Sequence, residues 1–362
     1  MLPLPRFRVL RPRSLAEALD TLAVNGSDDG PTVANADAWG SRPVRLLAGG
    51  TDLVPNLKHG LLDVETVVAL KALPGLRGVM RRMDAGAGEG ELAIGALTSI
   101  AHAAAHADVL AAWPALARAW GQIAGPQLRA MGTVGGNLCL DTRCTYYNQT
   151  AHWREALGSC LKRDGTKCHV VPGGTRCVAA MSSDGATMLL ALGGAAVVTS
   201  AARGARVVPL ASWFAGEGRR NTVLAADEML IEACVPAPAP GAFAGYQKLR
   251  ARNAIDFPLL SVAVAGNIAP DGTLAAARVV VGALGAKPRE VSGLDAIAHG
   301  RRPTLELFTA LGEAAGQQCR PLTNIPVDPD WRRAMVPVLV RRALAQALGL
   351  PAGPPVLEPV SA

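Results

Sequence analysis

The periodic hydrophobic pattern of this chain stops at residue 139 and resumes only after about residue 181. The interruption begins CLDTRCTYYNQTAHWREALGSCLKRDGTKCHVVPGGTRC. It is polar and glycine-rich, and it holds five of the seven cysteines: Cys139, Cys144, Cys160, Cys168 and Cys177. A structureless loop of that length in a compact domain is usually functional or disordered. Tethering several of its side chains to one centre would give it a fixed shape. Soft thiolates suit zinc and iron–sulfur centres. Structural zinc typically uses close CxxC pairs, and there are none here. Cysteines packed as small hydrophobes are the plain alternative, but the stretch is polar. Cys234, in an apolar strand, and Cys319, near a helix end, fit that plain role.

An odd cysteine count argues against a disulfide framework. The start, MLPLPRFRVLRPRSLAEAL, has no apolar segment of signal-peptide type. The run MLLALGGAAVVT is too short to span a bilayer. We expect a soluble cytoplasmic protein with no membrane partner. The net charge of +7 is modest, and no basic run interleaved with aromatics suggests nucleic acid.

The pattern on either side is mixed. SLAEALDTLA has helical spacing with Ser14 as its N-cap, and a polar segment follows at 25–38. VRLLAGGTDLVPNLKHG reads as strand, glycine turn and short helix. LRGVMRRMD and ELAIGAL read as a hairpin, and residues 99–123 as a helix broken near Pro114. After the cysteine stretch, MLLALGGAAVVTSAARGARVVPLASWF reads as two strands joined by a turn. A Pro/Gly-rich joint at 236–241 marks the best domain boundary. Beyond it lie a hairpin with a DG turn and two helices, TLELFTALGEAAGQQC and PDWRRAMVPVLVRRALAQALG.

Two turns, Ala48-Gly49-Gly50-Thr51-Asp52 and Gly132-Thr133-Val134-Gly135-Gly136-Asn137, could cradle a phosphate. Glycine lets backbone N–H groups approach an anion with no Cβ in the way. Each could equally be an ordinary strand–helix turn. Gly86-Ala87-Gly88-Glu89-Gly90 fails as a dinucleotide loop, because it leads into a strand rather than a helix. It reads as a hairpin turn.

In order, FRVLRPRSLAEAL, LLAGGTDL, GTVGGN and YQKLRARNAIDFP resemble the FAD-binding medium subunits of the xanthine dehydrogenase and carbon monoxide dehydrogenase family of molybdenum hydroxylases. The resemblance implies an α+β fold of two FAD-binding subdomains, about 1–58 and 59–238. A C-terminal domain of antiparallel sheet and helices would follow at 239–362. The insertion, about 139–181, resembles that of the beta subunits of 4-hydroxybenzoyl-CoA reductases, which carry an extra [4Fe-4S] cluster. Cys144, Cys160, Cys168 and Cys177 match its ligands at the same spacing, C-x15-C-x7-C-x8-C. Cys139 matches none. His152 and His169 flank the set, and a histidine can replace a cysteine at such a centre.

The resemblance also implies flavin contacts at Leu46, Leu47, Ala48, Gly49, Gly50, Thr51, Asp52 and Leu53. Thr133, Gly136 and Asn137 would follow in the second loop, then Asp184, Leu230 and Lys248. No catalytic residue is expected here. The family's substrate chemistry lies on a molybdopterin-binding large subunit, and a [2Fe-2S] small subunit completes the complex. The expectation is an electron-transfer subunit of the 4-hydroxybenzoyl-CoA reductase kind, fed by a ferredoxin-like donor. The loop's cations, Lys162 and Arg163 among them, would dock that donor. The alternatives are the FAD subunit of an oxidative hydroxylase acting on an aromatic, N-heterocyclic or aldehyde substrate, and a non-catalytic flavin-binding assembly or sensor protein.

Overall fold

The structure, a computed structural model, describes residues 2–25, 44–83 and 90–351. The segment 25–38 and the Gly86–Gly90 turn fall wholly or mostly outside these. Strand β1 (Arg8–Leu10), helix α1 (Leu15–Asn25), β2 (Val44–Leu47), α2 (Leu53–Lys58) and β3 (Thr66–Ala69) build the first layer. Ser14 caps α1, its hydroxyl accepting from Glu17 N at 3.1 Å, and Glu17 accepts in return from Arg13 N at 2.7 Å. This reciprocal pair satisfies two otherwise orphaned donors. The three strands are parallel, with β3 between β1 and β2. The sheet thus takes in residues 66–69, and a boundary near 58 cuts through it.

The second sheet starts from β4 (Val79–Arg82) and β5 (Glu91–Gly95), paired antiparallel. Three short helices follow, α3 (Ile100–Ala105), α4 (Ala107–Ala112) and α5 (Pro114–Gly121), so the expected helix breaks at His106 as well as before Pro114. Then come α6 (Pro126–Met131), α7 (Val134–Leu138) and α8 (Ala151–Leu157), the last lying inside the cysteine stretch. That stretch therefore has local order, with Thr150 capping α8.

Residues 184–191 correct the sequence reading. They form a helix, α9 (Asp184–Ala191), before strands β6 (Ala195–Ser200) and β7 (Gly204–Pro209). Every residue of α9 is buried, so it shows no amphipathic period and reads as an apolar strand. Ser183 caps it, accepting from Ala186 N at 3.0 Å. A small hairpin, β8 (Phe214–Glu217) and β9 (Arg220–Thr222), leads to β10 (Met229–Pro236). The second sheet runs in the order β4-β5-β10-β6-β7.

The C-terminal part is β11 (Ala242–Leu249), β12 (Leu260–Ile268), β13 (Leu274–Gly282) and β14 (Arg289–Glu290), a meander in sequence order, followed by α10 (Asp295–Ala298), α11 (Leu305–Gln318) and α12 (Pro329–Ala347). Helices α11 and α12 share an apolar core with the sheet, through Val262, Val264, Phe308 and Val340. Tyr246, Ala263 and Val280 instead join the core of the second sheet and α9. The four-stranded sheet is thus buried on both faces. Arg332 is fully buried at the start of α12 and donates to the carbonyls of Leu259, Leu322 and Ala283. Burial pulls its guanidinium down to about 10.

Candidate cofactor sites

The first glycine loop leaves the end of β2 and enters α2. Every residue from Leu46 to Leu53 is half-buried. Gly50 has φ +75, the left-handed region open to glycine. A Cβ on Gly49 would lie 2.0 Å from the carbonyl oxygen of Met131, and one on Gly132 would lie 3.2 Å from Thr51 Oγ1. The two glycine motifs, far apart in sequence, are therefore packed backbone to backbone.

In the second motif the glycines differ. A Cβ on Gly135 would meet Ala96 at 2.7 Å, so the fold itself demands glycine there. Gly136 is exposed, and a Cβ on it would meet only the Thr133 hydroxyl, at 3.0 Å. Thr133 caps α7, accepting from Gly136 N at 3.0 Å. Asn137 is buried, and its Oδ1 accepts from the Ser183 hydroxyl at 2.7 Å. Ser183 leads directly to Asp184.

Asp184 is buried and accepts from Lys248 Nζ at 2.7 Å and from Tyr246 OH at 2.5 Å. Lys248 also donates to Gln122 O at 3.0 Å. Burial pushes the Asp184 carboxyl up, against the pull of Lys248 and Tyr246. The Tyr246 hydroxyl is pushed well up by burial and then by the Asp184 charge. Leu230, on β10, is buried in the same core as Val134 and Leu138 of α7. Contacts thus run from Gly49 through Gly132, Thr133, Asn137 and Ser183 to Asp184 and Lys248. Sequence reading missed Ser183 and Tyr246. A serine directly before Asp184 is an N-cap signal that could have located both the helix and the site.

The cysteine stretch is pinched at its base, where Arg143 and Ala180 exchange backbone hydrogen bonds of 2.8 and 2.7 Å. Inside it, Cys144, Cys160, Cys168 and Cys177 line one small cavity. Cys139 lies outside that lining, at the C-terminal end of α7. Backbone N–H groups of Tyr146 and Tyr147 reach the Cys144 sulfur, that of Ala179 reaches Cys177, and Val171 N lies 3.5 Å from Cys168 Sγ. Burial pushes the thiols of Cys144 and Cys177 up to about 11 and about 12. His169 also lines the cavity, its ring stacked on Tyr146, with Nε2 2.8 Å from Gly158 O. His152 is exposed on α8. Among the described residues no group of three or more His, Cys, Asp or Glu side chains is placed to hold a metal ion.

The expected docking cations need correction. The Lys162 side chain is 1% exposed and paired with Asp141 at 2.7 Å. Its ammonium also reaches Thr142 O, Thr142 Oγ1 and Gly218 O at 3.0, 2.5 and 2.7 Å. Arg163 pairs with Asp63 and Asp164, with its side chain 12% exposed. Neither presents a free charge to a partner. A cation in a polar stretch reads as surface, whereas here the loop closes over it. The cations of the loop exposed beside the cavity are Lys167 and Arg176.

A profile of the family described as "FAD binding domain in molybdopterin dehydrogenase" matches residues 5–238, and "CO dehydrogenase flavoprotein C-terminal domain" matches 244–347. The chain belongs to the FAD-binding flavoproteins of the molybdenum hydroxylases. It is an oxidoreductase subunit, and FAD is its cofactor. The flavoprotein is 28% identical over 351 residues to the carbon monoxide dehydrogenase medium chain of Hydrogenophaga pseudoflava, covering 96% of this chain and 98% of that one. It is 32% identical to the aldehyde oxidoreductase FAD-binding subunit PaoB of Escherichia coli (strain K12), over 70% of this chain and 78% of PaoB. Among solved structures, carbon monoxide dehydrogenase from H. pseudoflava lacking the Mo-pyranopterin moiety superposes with a TM-score of 0.71 at 26% identity, covering 96% and 99% of the two chains. The α+β fold with its C-terminal sheet-and-helix domain is that of these flavoproteins. No helix among the described residues is long and apolar enough to cross a membrane.

Proposed function

We propose that this flavoprotein is the electron-transfer subunit of an oxidative molybdenum hydroxylase, with a molybdopterin-binding large subunit and an iron–sulfur small subunit as partners. Its relatives' names favour oxidation: a carbon monoxide dehydrogenase, an aldehyde oxidoreductase and a nicotinate dehydrogenase stand among them. The observation that carries the flavin assignment is Gly136. It is exposed, and one hydroxyl, Thr133 Oγ1 at 3.0 Å, is all that stands near a Cβ there, so the fold forbids a side chain less firmly than at Gly135 and a bound ligand is a further reason for glycine. Leu46 to Leu53, Thr133, Gly136 and Asn137 would bind the pyrophosphate end, where backbone N–H groups suit an anion. Asp184, Lys248 and Leu230 would lie towards the ring end. FAD can take up two electrons and release them singly. The chain's own part is to orient it and to fix a buried ion pair, Asp184 with Lys248, in a water-poor setting.

The four-cysteine cavity favours an addition to this reading, a [4Fe-4S] cluster held by Cys144, Cys160, Cys168 and Cys177. A cluster brings its own iron and sulfide framework, so its thiols must surround a space rather than meet at a point. Cysteine lining and inward N–H groups fit that demand. The same observation supports a second reading, in which the complex works reductively on 4-hydroxybenzoyl-CoA with a ferredoxin-like donor entering at the cluster. Anaerobic purification of the native complex, with FAD, iron and sulfide analysis, tests both cofactors. Assays with aldehydes, N-heterocycles and carbon monoxide, against reduction of 4-hydroxybenzoyl-CoA, separate the directions. Turnover of the thioester alone would reverse our choice, and protein without FAD would sink both.

A further inference from the structure

Lys162 has no part in the cofactor assignments above, yet its side chain is almost wholly enclosed. It lines the cysteine cavity. Its ammonium also lies 4.6 Å from the centre of the Tyr147 ring, and Tyr147 lines the same cavity. Removing an ammonium from water is costly, and only good pairing offsets it. Thr142 in turn donates to Gly218 O at 2.5 Å. Gly218 abuts Cys177, where a Cβ would fall 2.5 Å from the sulfur. A buried pair held by backbone carbonyls at this cost suggests a use beyond shape.

We infer that Lys162 and Asp141 form a fixed charge pair that sets the reduction potential of the centre held in the cysteine cavity, Lys162 raising it and Asp141 lowering it. The inference rests on the cluster reading above. Reducing a thiolate-ligated cluster adds one electron to an already negative group. A fixed cation at the cavity wall stabilises that added charge and raises the potential. A fixed anion opposes it, and does so less here because Asp141 is not among the cavity's lining residues. In the low-dielectric interior such charges are weakly screened, so the effect should persist at high salt.

The experiment is an anaerobic redox titration of the intact complex, followed by electron paramagnetic resonance of the reduced cluster, for wild type, Lys162→Met, Asp141→Asn and the double variant. Lys162→Met should move the cluster midpoint to more negative values. Asp141→Asn should move it the opposite way and by less, and the double variant should return towards wild type. FAD content and iron per chain serve as controls. Opposite shifts cannot come from a merely structural role, which would disturb both variants in one sense. If Lys162→Met fails to hold iron, the Asp141→Asn arm still decides. Wild-type midpoints in iron-loaded variants, or shifts of the same sign, overturn the inference while leaving the cluster standing. Wild-type complex without a [4Fe-4S] signal overturns the cluster reading, and this inference falls with it.

Discussion

The glycine loops and the cysteine loop reach a fixed shape in different ways. At the glycine loops the backbone does the work. Gly49 lies against Met131 O and Gly135 against Ala96, with no space for a single extra carbon. At the cysteine loop, side chains do it: thiols line a cavity, and a buried Lys162–Asp141 pair ties the loop to the β8–β9 turn through Gly218. At Gly49 and Gly135 the first design leaves no space for substitution. The second depends instead on the side chains that line its cavity and on the Lys162–Asp141 pair. Fold-defining glycines are thus a poor guide to ligand contact unless the space around each is known.

The comparison breaks most visibly at the glycines. Gly49→Val should prevent stable folding, since its Cβ meets backbone and overpacking beyond the usual ~1–3 kcal/mol is expected there. Gly136→Val should fold with at most the loss of the Thr133 cap, because no backbone atom outside its own helix stands within 4 Å of its Cβ, and should lose the yellow chromophore. Absorbance per folded chain, with circular dichroism, checks both. Normal FAD in soluble Gly136→Val would remove the case for that contact.

A second test addresses the other design. Serine at Cys144, Cys160, Cys168 or Cys177 should each cut cluster iron to a similar degree, because one thiolate leaves a shared site. Cys139→Ser should leave iron unchanged. Iron and acid-labile sulfide assays read the result, and an iron-poor Cys139→Ser beside an iron-replete Cys144→Ser would redraw the ligand set.

A smaller effect concerns Asp52, which lies between the two regions. It accepts from Asn56 at 3.2 Å and pairs with Arg143 of the cysteine loop at 3.4 Å. Burial first, and then the Asp141 charge, push its carboxyl up to about 6 from 3.8. The folded protein therefore holds this proton more tightly than the unfolded chain does. Its stabilisation is complete below about 4 and is lost as pH rises through about 6. Thermal melts of the FAD-free protein should show that slope, and Asp52→Asn should flatten it. An unchanged profile in Asp52→Asn would assign the slope to other groups.

The smallest effect is expected at the surface. If the reductive reading holds, reversing Lys167 and Arg176 to Glu should slow reduction by reduced ferredoxin severalfold at low salt, with the difference fading as salt screens the charges. Stopped-flow rates at two ionic strengths measure it. A rate indifferent to both charge and salt would place donor entry elsewhere.

How far the sequence could be read follows from the range of the forces involved. Strand–glycine–helix at 44–58 was legible because Gly50's φ and the β2–α2 junction are local matters. The four cysteines that line one cavity are those the resemblance singled out, and Cys139 lies outside that lining. Helix α9 was misread because complete burial erases its period. The roles of Gly135 and Gly136, adjacent and identical in type, depend on Ala96, which no local pattern reveals. Lys162 looked like a docking charge because nothing near it in sequence announces that Gly218 closes over it.

One apolar cluster joins the first glycine loop to the cysteine loop. Leu57, Leu61 and Leu62, at and beyond the end of α2, pack with Cys144, Tyr147, Cys160 and Cys177, and Leu47 and Leu53 of the flavin loop border them. Whatever binds the folded cavity and not the unfolded chain contributes its binding free energy to folding. That contribution would be felt first by the helix next to the flavin loop. If that occupant is the proposed cluster, chains that have not received iron should hold FAD more loosely, and iron starvation should lower flavin content together with iron.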